Sequence, residues 1–283
     1  MTMPTTRKQW FRLLVLLSPL SLAQPALADG QHNYLEKRHF IYLGGYQQDG
    51  DLVAKSQREL QEPVTIEFEK LGVNDDFTSA MLDYHFRLND RWSLSAAYYR
   101  FLDGGNVALS EDITWEGENF DAGLAVDIDW DIDTYIFDVM YSVAKSDTYE
   151  FAVGGGIHAL DTSLTVTGQG SISGEAGELQ GSGTRAKGSI LAPLPNLRGT
   201  GFYAFNDKWS VQGTVGWLSL GIDEYQGDFT YAHVRGQYQV TEKFGVSLGY
   251  QLVHVDVEQE IRLGFRRFDV DFRGATAAIT FAF

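Results

Sequence analysis

The chain ends on Ala275-Thr276-Ala277-Ala278-Ile279-Thr280-Phe281-Ala282-Phe283. Ala275, Ala277, Ile279, Phe281 and Phe283 occupy every second position, against Thr276 and Thr280. That is the period of a β-strand with two unlike faces. The same device recurs upstream. Residues 135–143 set Tyr135, Phe137, Val139, Tyr141 and Val143 against Asp138 and Ser142. Residues 78–88 set Ala80, Leu82, Tyr84, Phe86 and Leu88 against Ser79, Asp83, His85 and Arg87. Stretches 92–98, 149–157, 209–217 and 232–240 alternate likewise.

Composition narrows the class. The 283 residues include 22 Lys+Arg and 38 Asp+Glu, for a net charge of -16, with 30 Gly and no Cys. Zero Cys excludes a disulfide scaffold, a thiolate metal site and a lipidated Cys. The acidity argues against a nucleic-acid partner, which needs clustered Lys and Arg. The one strongly apolar stretch is N-terminal, so repeated membrane helices of about 20 apolar residues are excluded. That stretch has Arg7, Lys8 and Arg12, then Leu13-Leu14-Val15-Leu16-Leu17, then Ala26-Leu27-Ala28. A basic region, a short apolar run and an A-x-A site make residues 1–28 a cleavable signal peptide and 29–283 one mature domain.

A soluble β-sandwich alternates too, so three further features decide between sandwich and barrel. Small residues fall on the polar face, where a crowded lumen needs them. Trp92, Tyr141, Tyr149, Phe205, Trp209 and Phe244 sit near strand ends, as in an interfacial girdle. An alternating strand closed by Phe283 resembles the signal that bacterial outer-membrane barrels present to their assembly machinery. Together these predict an all-β chain, a transmembrane antiparallel up-and-down β-barrel in the cell outer membrane.

The turns supply the strand number. Leu88-Asn89-Asp90-Arg91, Lys145-Ser146-Asp147-Thr148, Phe205-Asn206-Asp207-Lys208 and Val240-Thr241-Glu242-Lys243 are polar and tight. Asn, Asp and Ser tolerate the turn dihedrals and bond their own backbone in such turns. Four short periplasmic turns join eight strands, and strands near 38–47 and 268–283 bring the total to ten. Eight or twelve stay open, because Val64-Thr65-Ile66-Glu67-Phe68 reads as a strand or as loop. Long outer loops are expected at about 48–76, 103–129, 163–193 and 258–267, with a short one near 221–227. The second of these holds a hairpin, Ile113-Thr114-Trp115 to Leu124-Ala125-Val126, expected to project beyond the bilayer. Pro193 and Pro195 fit the barrel rim rather than a strand centre.

The stretches Ala192-Pro193-Leu194-Pro195-Asn196-Leu197-Arg198-Gly199, Asn206-Asp207-Lys208-Trp209-Ser210 and Tyr225-Gln226-Gly227-Asp228 resemble a family of largely uncharacterised proteobacterial outer-membrane β-barrel proteins. Asp131-Ile132-Asp133-Thr134-Tyr135 and Gly156-Ile157-His158-Ala159-Leu160-Asp161 are similar to it as well. The resemblance covers most of the mature chain. It implies the barrel and brings no substrate, cofactor or catalytic residue.

With the apolar face toward lipid, the lumen receives Asp83, His85, Arg87, Asp138, Glu150, His158, Arg198, His233 and Arg235, with Gln237. Both signs are present, so Arg87, Arg198 and Arg235 are expected to pair with Asp83, Asp138 and Glu150. Such a network either plugs a narrow barrel or lines a polar path. Gln212, on the same inner face, is expected to tolerate replacement far better than Val139 or Val215 tolerates Arg. Asp127, Asp129, Asp131 and Asp133 point one way along a strand, as metal candidates or as a solvated acidic surface. His158 with Asp161, and His254 with Asp256, are the pairs to inspect for catalysis; no G-x-S-x-G elbow is present.

The expected role is structural or passive permeation of small solutes, without cofactor and without catalysis. A surface binding or adhesion protein acting through acidic loops is the alternative, and a lipid-modifying enzyme or protease comes third. Expected partners are outer-membrane lipids and lipopolysaccharide, and the barrel-assembly machinery through the Phe283 strand. A monomer is expected.

Overall fold

The computed structural model describes residues 32–58, 64–67, 76–109, 112–116, 118–169, 184–222, 225–262 and 264–283. Residues 1–31, which include the expected signal peptide, and the Gly-rich stretch 170–183 lie outside these. A short helix, α1 (Asn33–Glu36), precedes β1 (His39–Arg58), β2 (Val64–Glu67), β3 (Asp76–Arg87) and β4 (Trp92–Ala108). A small hairpin of β5 (Ile113–Trp115) and β6 (Glu118–Phe120) follows. The rest is β7 (Ala125–Lys145), β8 (Tyr149–Gln169), β9 (Arg185–Ala204), β10 (Trp209–Ile222), β11 (Tyr225–Gln239), β12 (Phe244–Ile261) and β13 (Gly264–Ala282).

The main sheet runs β13-β12-β11-β10-β9-β8-β7-β4-β3-β1-β2, and β13 also pairs with β1. That last ladder, from Phe40–Ala282 to Arg58–Gly264, closes the sheet on itself. β2 is an appendage on β1, through Val53–Glu67 to Ser56–Val64, so ten strands form the ring. All neighbours are antiparallel. Closure leaves no long free edge, which is the condition for crossing a bilayer with strands.

The four turns work as their chemistry predicts. Asn89 Oδ1 accepts the N–H groups of Arg91 and Trp92 at 3.0 and 2.9 Å, and Asn206 Oδ1 those of Lys208 and Trp209 at 2.9 and 2.8 Å. Ser146 and Thr241 hydroxyls do the same at the other two turns. Aromatics ring this turn end, with Trp92 against Tyr141 at 5.0 Å, Trp209 against Tyr238 at 4.7 Å and Phe244 against Phe281 at 4.2 Å. Above them Val139, Phe137, Val153, Val215, Val234 and Leu248 point out of the wall, Val215 at 61% and Leu248 at 71% exposure. An apolar belt this continuous needs hydrocarbon around it.

The strands are longer than a bilayer needs. β7 and β8 each have 21 residues, against about 9–11 for a tilted membrane strand. Their far halves reverse the pattern. On β7 the outward series Val139, Phe137, Tyr135 gives way to Asp133, Asp131, Asp129 and Asp127, while Ile132, Trp130, Ile128 and Val126 turn inward and are buried. The wall is apolar-out in lipid and apolar-in above it. Most of the expected loops 48–76, 103–129, 163–193 and 258–267 are therefore wall: β1 runs to Arg58, β4 to Ala108, β8 to Gln169 and β12 to Ile261. Their acids read as loop composition because the bilayer-facing rule inverts there.

Pro193 and Pro195 lie inside β9, paired with Ala159 and Ile157 of β8, rather than at a rim. On the other side, the β9–β10 ladder stops at Leu197–Trp217. The prolines thus sit where no N–H is asked of β9 by β10, the edge position that proline tolerates.

Candidate functional site

The inner face of the turn-end half is polar, and three ion pairs cross it. Arg87 grips Glu150 with two bonds, Nη1 to Oε1 at 2.9 Å and Nη2 to Oε2 at 2.8 Å. The Ser142 hydroxyl donates to the same carboxylate. Arg235 donates from Nη1 to Asp83 at 2.9 Å and from Nε to Gln212 at 2.7 Å, with its guanidinium 3.4 Å from the Tyr42 ring centre. Arg198 pairs with Asp138, which is fully buried. Gly156 makes room for that carboxylate: a Cβ there would lie 1.8 Å from the Phe137 carbonyl oxygen and 2.7 Å from Asp138 Oδ1.

The three histidines of the lumen stand apart from one another. His85 stacks on Tyr34 at 5.1 Å, His158 packs on Phe229 at 4.1 Å, and a ring nitrogen of His233 lies 3.0 Å from the Thr276 hydroxyl. Gln212 corrects the expectation of an undemanding position. Besides receiving Arg235, it donates to the Tyr34 hydroxyl at 2.9 Å. Gln237 donates to the Tyr42 hydroxyl at 2.8 Å, and Tyr99 to Asp83 at 2.9 Å. A buried group tied to several partners leaves several unsatisfied when removed.

Sequence reasoning missed the N-terminal plug. α1 enters the turn-end mouth with Tyr34 5% and Leu35 1% exposed. Tyr34 stacks on Phe202 at 4.4 Å, its carbonyl accepts from Arg87 at 3.1 Å, and its hydroxyl meets Gln212. His32 caps the helix by accepting the Tyr34 N–H through Nδ1 at 3.2 Å, and Asn33 Nδ2 donates to the Glu242 carbonyl at 2.6 Å. The available signal was Tyr34-Leu35, an apolar pair in a polar approach to the first strand.

A second closure covers the loop-end mouth. The β5–β6 hairpin does not project. It folds inward, so that Trp115 and Phe120 are fully buried among Trp130, Ile190, Val257 and Phe268. Glu116, in the left-handed region at φ 51°, accepts Arg266 Nε at 2.7 Å and Nη2 at 2.8 Å. That bond holds the Arg266 guanidinium above its usual pKa, against the opposing effect of burial. Gly188 leaves space for the hairpin tip: a Cβ there would meet Trp115 at 2.8 Å and Glu116 at 2.9 Å. Gly188→Val should expel the hairpin, giving red-shifted Trp emission and faster proteolysis near residues 113–120. An unchanged spectrum and cleavage rate would refute the tight seat.

Between floor and roof lie two small chambers. One of about 50 Å³ is lined by Tyr46, Gln48, Phe101, His158, Tyr231 and Gln251. One of about 40 Å³ lies beside Tyr34, Arg198 and Arg235. Each has room for only a few waters, since one water needs about 10–15 Å³. They are pockets in a filled lumen.

The remaining candidates sort out differently. Asp127, Asp129, Asp131 and Asp133 share the outer face of β7 but are spread along it. Asp133 accepts from Tyr98 at 2.6 Å, and Asp127 from Asn106 at 2.8 Å. His158 and Asp161 lie on opposite faces, inside and outside. His254 pairs across the sheet with Asp271 at 2.8 Å rather than along its strand with Asp256, which is taken by Arg267.

No protein-family model matches the sequence, and no curated protein matches it. Solved structures do. The outer membrane protease OmpT from Escherichia coli superimposes with a TM-score of 0.57 at 13% identity, covering 87% of this chain and 97% of its own. The outer membrane protein OprG from Pseudomonas aeruginosa matches at a TM-score of 0.39 and 12% identity, covering 90% of this chain and 97% of its own. The toluene transporter TodX from P. putida matches at 0.35 and 11%, covering 89% and 91%. The chain has the fold of outer-membrane β-barrels, and at these identities the likeness extends to fold alone.

Proposed function

We propose that this chain is a closed outer-membrane barrel with a structural role in the envelope. The observation that carries the reading is the filled lumen, obstructed by α1, by three ion pairs and by the inward hairpin. The belt of outward Leu, Val and aromatic residues would sit among outer-membrane lipids and lipopolysaccharide, with the four tight turns in the periplasm. β13, with Phe283 directly after it, would engage the assembly machinery, and the barrel would work as a monomer.

A second reading is passive permeation of small solutes, favoured by the two chambers stacked along the axis. Conductance in planar bilayers separates them. The wild type should be silent, and Arg235→Ala, which frees Asp83 and unpins Gln212, should produce measurable single-channel events. A wild type that conducts steadily, changing only its ion preference in Arg235→Ala, would replace the closed barrel with a narrow pore.

A further inference from the structure

On the outer wall, above the apolar belt, β12 and β13 bring an imidazole and two carboxylates together. His254 and Asp271 are cross-strand partners, with Nδ1 2.8 Å from Oδ1. Asp269 lies two residues along β13, so it points to the same side. One ligand atom from each of the three lies within 4.8 Å of the other two.

The surrounding charges single this group out. Asp256 is held by Arg267, Nε at 2.8 Å, and Asp49 by Arg273 at 3.2 Å. Both arginines are thereby committed to the flanks. Among the described residues no ion pair joins Asp269 to a cation, although Asp256 and Asp271 flank it on the same face. Like charges crowded on one sheet face repel unless a cation intervenes.

We propose that His254, Asp269 and Asp271 form a binding site for a divalent transition-metal ion of the Zn²⁺ or Ni²⁺ kind. One imidazole and two carboxylates suit these borderline ions, whereas Ca²⁺ and Mg²⁺ prefer an all-oxygen shell. The spacing is compatible with ligands about 2.0–2.2 Å from a shared ion after small side-chain movements. Three protein ligands leave further coordination positions open. Beside the site runs an open groove of about 350 Å³, lined by Thr230, Leu252, Arg273 and Asp49 among others. Water can complete the shell there. The site lies outside the lumen and holds whether or not the barrel conducts.

The test uses the full-length, untagged, chelator-treated protein folded in detergent. Zn²⁺ binding is measured by calorimetry, and Co²⁺ binding by its visible absorption. Loss of a metal's outer-shell partner costs about 10–100-fold in affinity, so His254→Ala and Asp269→Asn should each weaken binding at least about tenfold. His39→Ala changes the other partly exposed histidine, far away at the turn end, and should leave binding intact. Retained heat-modifiable gel mobility establishes that each variant is folded. One Zn²⁺ bound per chain, lost in the first two variants and kept in the third, supports the site. No Zn²⁺ binding, binding that survives His254→Ala, an equal loss in His39→Ala, or displacement by equimolar Ca²⁺ overturns it.

Discussion

Arg87→Ala is expected to destabilise the barrel by about 3–5 kcal/mol, the range for breaking one side of a buried ion pair. Arg87 and Glu150 have side chains only 6% and 5% exposed, so water cannot replace the lost guanidinium. The substitution strands the Glu150 carboxylate and removes the donor to the Tyr34 carbonyl that tethers the plug. Urea unfolding followed by loss of the compact gel band reads the effect. The double change Arg87→Met, Glu150→Leu removes both charges and should cost markedly less, because the penalty comes from the orphaned charge. A single-variant cost below about 1 kcal/mol, or a double variant as unstable as the single, would show that the lumen there is wet enough to screen the pair.

The ring, its strand number and the inward set of charges were legible because each rests on a local rule. Period-two alternation separates two faces, and Asn89, Ser146, Asn206 and Thr241 mark turns whose hydrogen bonds the structure shows. Once the apolar face is set toward lipid, parity sends Asp83, Asp138, Glu150 and the three arginines inward. Which arginine meets which acid depends on strand tilt and on reach across the lumen, and no local pattern encodes that. The plug was illegible for a related reason. Tyr34 means nothing in sequence until Phe202, Arg87 and Gln212, all distant in the chain, create a seat for it.

The outer half was misread for a different reason. Alternation says that two faces differ and leaves open which one is inside. Near Tyr135 the apolar residues on β7 change sides, since lipid surrounds the wall below and water above. Ile128, Trp130 and Ile132 with their aspartates show the same period as Phe137 and Val139, in opposite phase. The acids suggest loops, and Trp115 an exposed hairpin, only while the apolar face is taken to stay outward along the whole strand; beyond the bilayer it turns inward to form a core. His254 was seen beside Asp256 along the chain, while its contact, Asp271, comes from register.

That phase change yields the sharpest expectation about the wall. Val139→Arg should cost about 2–4 kcal/mol if the site lies at mid-bilayer, because the guanidinium would enter hydrocarbon. Asp131→Arg, further up the same outward face, should stay within about 0.5 kcal/mol, as on any wet surface. Trp130→Ala, beside it but facing in, should cost about 3–5 kcal/mol by emptying a packed site and losing the 2.7 Å bond to Thr162. Three substitutions on one strand thus carry three different predictions, set only by depth and face. All are read by the same unfolding assay in lipid vesicles. If Val139→Arg and Asp131→Arg cost the same, the boundary between lipid and water does not fall between these residues. If Trp130→Ala is harmless, the outer half has no packed core and the inward hairpin has nothing to rest on.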